Sequence, residues 1–243
     1  MSISRHSLPS ALVALAAVMV LLGTLCFSSL RPGYSQISNT ISELGETGAA
    51  HAHLVAFGLF LPVGLTVWLA LWLLRRETPG RGVSRVLFAL SCLGTGYVVS
   101  AFFPCDPGAP LLGSWRMLAH NVAGFADYGG TAIGFLLVSR RFARHGAMPQ
   151  ATAFGAAGAF GLVCLAILGL PLAFPIRGAV QRAAELIQFT GVFFVCFFLS
   201  GRGTPNERPA LDAGTGVSLQ SGHRRPGASE AKRWAGAMMP CVC

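Results

Sequence analysis

Charge is what this chain has least of. Asp, Glu, Lys and Arg make up 11% of its 243 residues, against roughly a quarter in a soluble domain. That scarcity excludes an ordinary water-soluble globular fold. Lysine is almost missing: Lys232 stands alone among the 18 Lys and Arg residues. No basic stripe interleaved with aromatics is present, so nucleic acid is not expected as a partner. Catalytic signatures are missing too. There is no HExxH, no paired CxxC and no G-x-S-x-G, which removes the zincin, zinc-ribbon and hydrolase-elbow chemistries. The seven cysteines form no framework. Cys92, Cys164 and Cys196 lie within apolar runs, Cys241 and Cys243 near the end, and Cys26 and Cys105 close to polar connections, where a small apolar thiol is the expected role.

What is abundant is hydrocarbon: 53% hydrophobic residues and a mean hydropathy of +0.61. Runs of about twenty apolar residues match ~30 Å of bilayer core at about 1.5 Å per residue. Six are legible, at Pro9–Leu30, His51–Leu74, Val86–Pro104, Met117–Val138, Ala151–Leu172 and Val180–Ser200. They run too long without alternation for barrel strands. The expected architecture is all-α, a polytopic six-helix transmembrane bundle over residues 1–200. Residues 201–243, rich in Gly, Pro and charge, are expected to be a disordered cytoplasmic tail. The first run, longer than a usual signal core and followed by "FSSLRPGYS", is expected to be a retained helix.

The cations set the orientation. The second connection holds Arg75, Arg76, Arg81 and Arg85, and the fourth holds Arg140, Arg141 and Arg144; the N-terminal arm has Arg5, and the tail six more cations from Arg202 to Arg233. The remaining connections have only Arg31, Arg116, Arg177 and Arg182. By the positive-inside rule both termini are cytoplasmic, Arg31–Ala50 faces outward, and the location is the cytoplasmic (inner) membrane.

Polar side chains gather at the outward ends of these helices. In the first outer connection, Tyr34, Asn39, Ser42, Glu43 and His51 arrive together. Thr40-Ile41-Ser42-Glu43 spells a capping box, with the Thr hydroxyl on the third amide and the Glu reaching back, and Gly45 a natural stop. In the second, Pro104 and Pro107 flank Asp106. His120, Gly124, Asp127 and Thr131 follow i, i+4, i+7, i+11 and share one helix face. A carboxylate as deep as Asp127 has to face the bundle interior or water. The last helix opens with Gln181, Arg182, Glu185 and Gln188, in which Arg182 and Glu185 can pair at i, i+3, while Arg177 can snorkel to headgroups. His51 and His53 point about 200° apart on a helix and cannot share a metal. No metal or cofactor is expected. A composite site of His51 or His53 with Asp106 and His120 is the exception left open.

"YSQISNTISELG" (Tyr34–Gly45), "FPCDPG" (Phe103–Gly108), "LAHN" with His120, and "QRAAE" (Gln181–Glu185) resemble the pattern of a family of bacterial multi-pass membrane proteins, domain of unknown function 998. The resemblance covers roughly Leu8 to Ser200. It implies a multi-pass helical fold and no established activity.

The expected function is that of an integral membrane protein with a polar, outward-facing vestibule that binds a lipid headgroup or a small polar ligand. Its candidate residues are Tyr34, Asn39, Ser42, Glu43, His51, Asp106, His120, Asp127, Arg182 and Glu185, and membrane lipids are its expected partners. Two alternatives stand beside it. One is a small-solute transporter coupled through Asp127; the other is a membrane-embedded, metal-dependent or metal-free hydrolase using Asp106 and His120.

Overall fold

A computed structural model describes residues 7–202. The tail expected from residue 201 onward lies outside the described residues, except for its first two. Six helices among the described residues are long and apolar enough to cross a membrane: α1 (Leu8–Ser29), α2 (Ala52–Glu77), α3 (Arg81–Phe102), α4 (Trp115–Arg144), α5 (Met148–Leu168) and α6 (Arg177–Gly201). No strand occurs among them.

Several helices outrun the apolar spans. The α4 helix has 30 residues, about 45 Å of rise. Its last turns hold Arg140 and Arg144, which are exposed, and Arg141, whose guanidinium packs against Gly82 of α3. The α5 helix stops at Leu168, short of the expected Leu172, because Gly169 and Pro171 interrupt it. Near the start of α2 the helix widens into a single π turn at Ala56–Phe60. There the Leu61 amide reaches back five residues to Ala56 O, next to Pro62, which has no amide to contribute.

The helices pack as a ring in chain order, closed by α1 against α6. The core runs along its axis and includes Val63 and Val67 of α2, Leu90 and Leu93 of α3, Phe135 of α4, and Val192 and Val195 of α6. The outward surface is the greasy one: Phe88 is 79% and Leu186 67% exposed, as lipid-facing residues must be. Close helix approach uses glycine. A Cβ on Gly64 would lie 2.6 Å from Gly94 O, and one on Gly94 would lie 2.9 Å from Gly64 O, so α2 and α3 touch backbone to backbone.

The two ends of the ring differ. Toward the α2–α3 and α4–α5 turns, an aromatic plug fills it: Phe142 stacks on Phe154 at 5.8 Å and meets Phe198 edge-on at 5.6 Å, with Phe135 6.0 Å from Phe154. At the other end, called the loop face below, the connections after α1, α3 and α5 cover a polar interior.

Candidate functional site

The loop after α1 is tied down as a lid by two arginines of α6. Arg182 donates from Nη1 to the carbonyls of Gln36 and Asn39, both at 2.9 Å, and of Gly178 at 3.0 Å; its Nη2 donates to Tyr34 Oη at 2.7 Å. Tyr34 in turn donates to Thr40 O at 2.8 Å. Burial pushes the Tyr34 phenol above its ordinary value, against the pull of the Arg182 charge. Gln181 Oε1 accepts from the Ile41 amide at 2.7 Å, and the Ala179 amide donates to Ile37 O at 2.9 Å. The fit leaves no room for a side chain at Gly178, whose Cβ would collide with Asn39 O.

Glu43 is the hub of this lid. Its side chain, 2% exposed, accepts from Arg177 Nη2 at 2.8 Å, Asn39 Nδ2 at 2.7 Å, the Thr40 amide at 2.7 Å and the Thr40 hydroxyl at 3.0 Å. The capping box expected at Ile41–Gly45 is present in both halves: the Thr40 hydroxyl faces the Glu43 amide while the Glu43 carboxylate reaches back to the Thr40 amide. The same hydroxyl also donates to the buried carboxylate. Arg31 joins from the end of α1, donating to Glu43 O and, at 2.5 Å, to Glu46 Oε1. Glu46 Oε2 accepts from the Gly108 amide at 2.8 Å, stitching the first and second loops together.

Cys105 sits beneath that seam with no exposed surface, its thiol donating to Ser42 O at 3.3 Å. Burial, with Glu46 and Glu43 adding to it, pushes the thiol up to about 12. Only the thiolate attacks electrophiles, so at pH 8 about one part in ten thousand is reactive. Iodoacetamide at pH 8 is therefore expected to leave Cys105 unmodified in the folded protein and to alkylate it on denaturation, as read by mass spectrometry. Modification of the folded form would mean that the lid opens.

Under the lid lie two adjoining cavities. The outer one, about 110 Å³, has a polar wall that includes Ser42, His120, Asn121 and Gln181, and an apolar wall of Phe125, Leu165 and Leu168. The inner one, about 40 Å³, reaches Asp127 and Glu185. Ser42, His120, Gly124, Tyr128 and Gln181 line both. The neck is open at Gly124, whose Cβ would have nothing within 4 Å. At the inner end, Tyr97 donates to Glu185 Oε2 at 2.9 Å and Tyr128 to Oε1 at 2.8 Å; Gln188 Nε2 donates to Asp127 Oδ1 at 3.0 Å. By rise along α4, Asp127 lies about 18 Å from Trp115.

Of the ten candidates, Tyr34, Asn39, Glu43 and Arg182 thus form the lid, while Ser42, His120, Asp127 and Glu185 face the cavities. His51 and Asp106 do neither. His51 lies 6.4 Å from Phe27 of α1. Asp106 instead holds the start of α4: it accepts from the Ser114 amide and hydroxyl, both at 2.7 Å, which keep its carboxyl below its ordinary value. The expected Arg182–Glu185 pair does not form. Glu43 takes Arg177, which points into the lid rather than to headgroups. Arg182 and Glu185, three residues apart, take separate partners because one serves the loop and the other the interior. Asp106 also does not meet His120, whose Nδ1–H donates to Phe103 O at 2.9 Å. Among the described residues, no three His, Cys, Asp or Glu side chains converge to hold a metal ion. Tyr97 and Tyr128 were not among the candidates. The signal was there, since they are two of three tyrosines, both within apolar spans, and one is adjacent to Asp127.

Six apolar helices around a lidded polar interior define a multi-pass α-helical membrane protein. A family model described as "Protein of unknown function (DUF998)" matches residues 14–198, and the chain belongs to that family. No curated protein and no solved structure matches it.

Proposed function

We propose that the protein binds a phospholipid headgroup in the outer cavity, at the extracytoplasmic side of the membrane. The observation that carries this reading is the amphipathic lining beneath the lid. Polar groups of the first loop and α4 face Phe125, Leu165 and Leu168 across about 110 Å³. A cavity with a few convergent polar groups set in apolar walls is the usual form of a small-ligand site. At its rim, Arg177 keeps one buried donor, Nε, without a partner, suited to a phosphate oxygen. The arginine-rich connections lie at the opposite end of the bundle, which supports an outward loop face. The hydrolase alternative has less support, because Asp106 and His120 serve separate structural bonds.

Gly124→Leu provides the test, since a Cβ there meets nothing within 4 Å and the rest of the side chain extends into the neck. Wild-type protein released from nanodiscs of phosphatidylethanolamine and phosphatidylglycerol should keep a lipid adduct in native mass spectrometry. The Gly124→Leu variant should lose most of it at an unchanged melting temperature. Equal adducts in the two proteins would refute the site. In intact cells an impermeant maleimide should label a cysteine placed at the exposed Thr47, and not one at Glu77.

A further inference from the structure

Asp127 and Glu185 pose a separate problem. Both are buried, at 5% and 6% exposure, and neither is hydrogen-bonded to an arginine or lysine; their partners are Gln188, Tyr97 and Tyr128. Two bare carboxylates side by side in a low-dielectric interior are strongly unfavourable, so positive charge must reach the pair.

The hydrogen bonds distinguish the two carboxyls. Glu185 receives a donor on each oxygen, which is the arrangement of an ionised carboxylate. Asp127 receives one, from Gln188 Nε2, while Gln188 Oε1, on the same amide, is buried and lacks any donor. Gln188 is 3% exposed, so bulk water does not supply it. A protonated carboxyl and a primary amide are complementary, each offering one donor and one acceptor. A proton on Asp127 would complete that pair and satisfy the orphaned oxygen. The carboxyl is wedged against Gly96, where a Cβ would lie 2.5 Å from Asp127 Oδ2, so the group cannot swing away on that side. One turn along α4, the fully buried Thr131 hydroxyl is also without a partner.

We propose that Asp127 and Glu185 form a proton-binding pair, with one proton held on Asp127 in an acid–amide pair with Gln188, exchanging with the loop face through the inner cavity. The geometry of access favours that face. The inner cavity adjoins the outer one at Tyr128 and His120, whereas the opposite way is closed by Phe135, Phe142, Phe154 and Phe198. The ionisable groups around the pair are Tyr97 and Cys92 of α3, and Tyr128 and His120 of α4; Arg182 of α6 is committed to the lid. A neutral Asp127 beside a charged Glu185 leaves one net charge, spread over two tyrosine hydroxyls. The inference does not depend on what occupies the outer cavity.

Infrared difference spectroscopy on the full chain in nanodiscs tests it, through the C=O stretch of a protonated carboxyl at neutral pH. Wild type should show that band, shifting in D₂O. Asp127→Asn, which can still pair with Gln188, should abolish it. Glu185→Gln should retain it. Gln188→Leu, which removes the amide partner, should move its frequency, and this variant keeps the test open should Asp127→Asn not fold. A wild type without the band, or a band surviving unchanged in Asp127→Asn, would overturn the assignment. So would a band erased by adding Na⁺ at constant pH, because an alkali cation would then be the neutralising charge.

Discussion

Replacing Glu43 by alanine is expected to destabilise the protein by about 3–5 kcal/mol, the range for removing one partner of a buried ion pair. The carboxylate is almost fully enclosed and accepts from Arg177, Asn39 and both donors of Thr40. Its loss strands the Arg177 guanidinium, only 11% exposed, in a space with little water, and releases the short turn at Ile41–Gly45. For a chain of this size the melting temperature should fall by on the order of 10 °C. Glu43→Gln should recover part of the loss, since it keeps an acceptor without the charge. Scanning fluorimetry in mild detergent reads both. A Glu43→Ala protein melting within a degree of wild type would mean that the lid is not held through this residue.

The second large effect is at Arg182. One guanidinium serves four acceptors, three of them main-chain carbonyls with fixed positions. Arg182→Ala should cost about 3 kcal/mol, because hydrogen bonds to charged groups contribute roughly 1.5–3 kcal/mol and the orphaned carbonyls stay under the lid. Arg182→Lys should recover less than half of this. An ammonium has the charge but not the planar fork that spans Tyr34 Oη and the carbonyls together. Limited proteolysis gives an independent reading, with cleavage between residues 31 and 50 rising in both variants. A lysine variant as stable and as resistant as wild type would show that charge alone holds the loop.

These two arginines mark the boundary of what could be read before the structure. Their presence at the head of α6 was evident, but which carboxylate each would meet was not. Glu43 lies 134 positions from Arg177, and nothing local distinguishes Arg177 from Arg182 as its partner. Helical phase decides it. Arg182 meets the first half of the loop and the Tyr34 hydroxyl, while Arg177, more than a turn earlier, meets Glu43 and the carbonyls of Gly108 and Ala109. Asp106 is the opposite case. Its bond to the Ser114 amide, eight residues on, is local and lies within reach of the sequence pattern around Pro104 and Pro107.

The sequence by itself determined the class and the coarse map. Apolar runs of bilayer length specify six helices whatever their packing, since backbone groups in hydrocarbon must be satisfied within each segment. The spacing of His120, Gly124 and Asp127 specifies that they share a face, because that follows from 3.6 residues per turn alone. Only the tertiary structure decided what that face sees. Helices α3, α4 and α6 had to be set in a ring for Tyr97, Tyr128 and Gln188 to become the partners of Glu185 and Asp127. The phenylalanine plug had to form at the far end for the polar interior to be closed on that side. Such contacts join residues 57 to 88 positions apart, and the side-chain pattern of a single helix carries no record of the rotation at which its neighbour will pack.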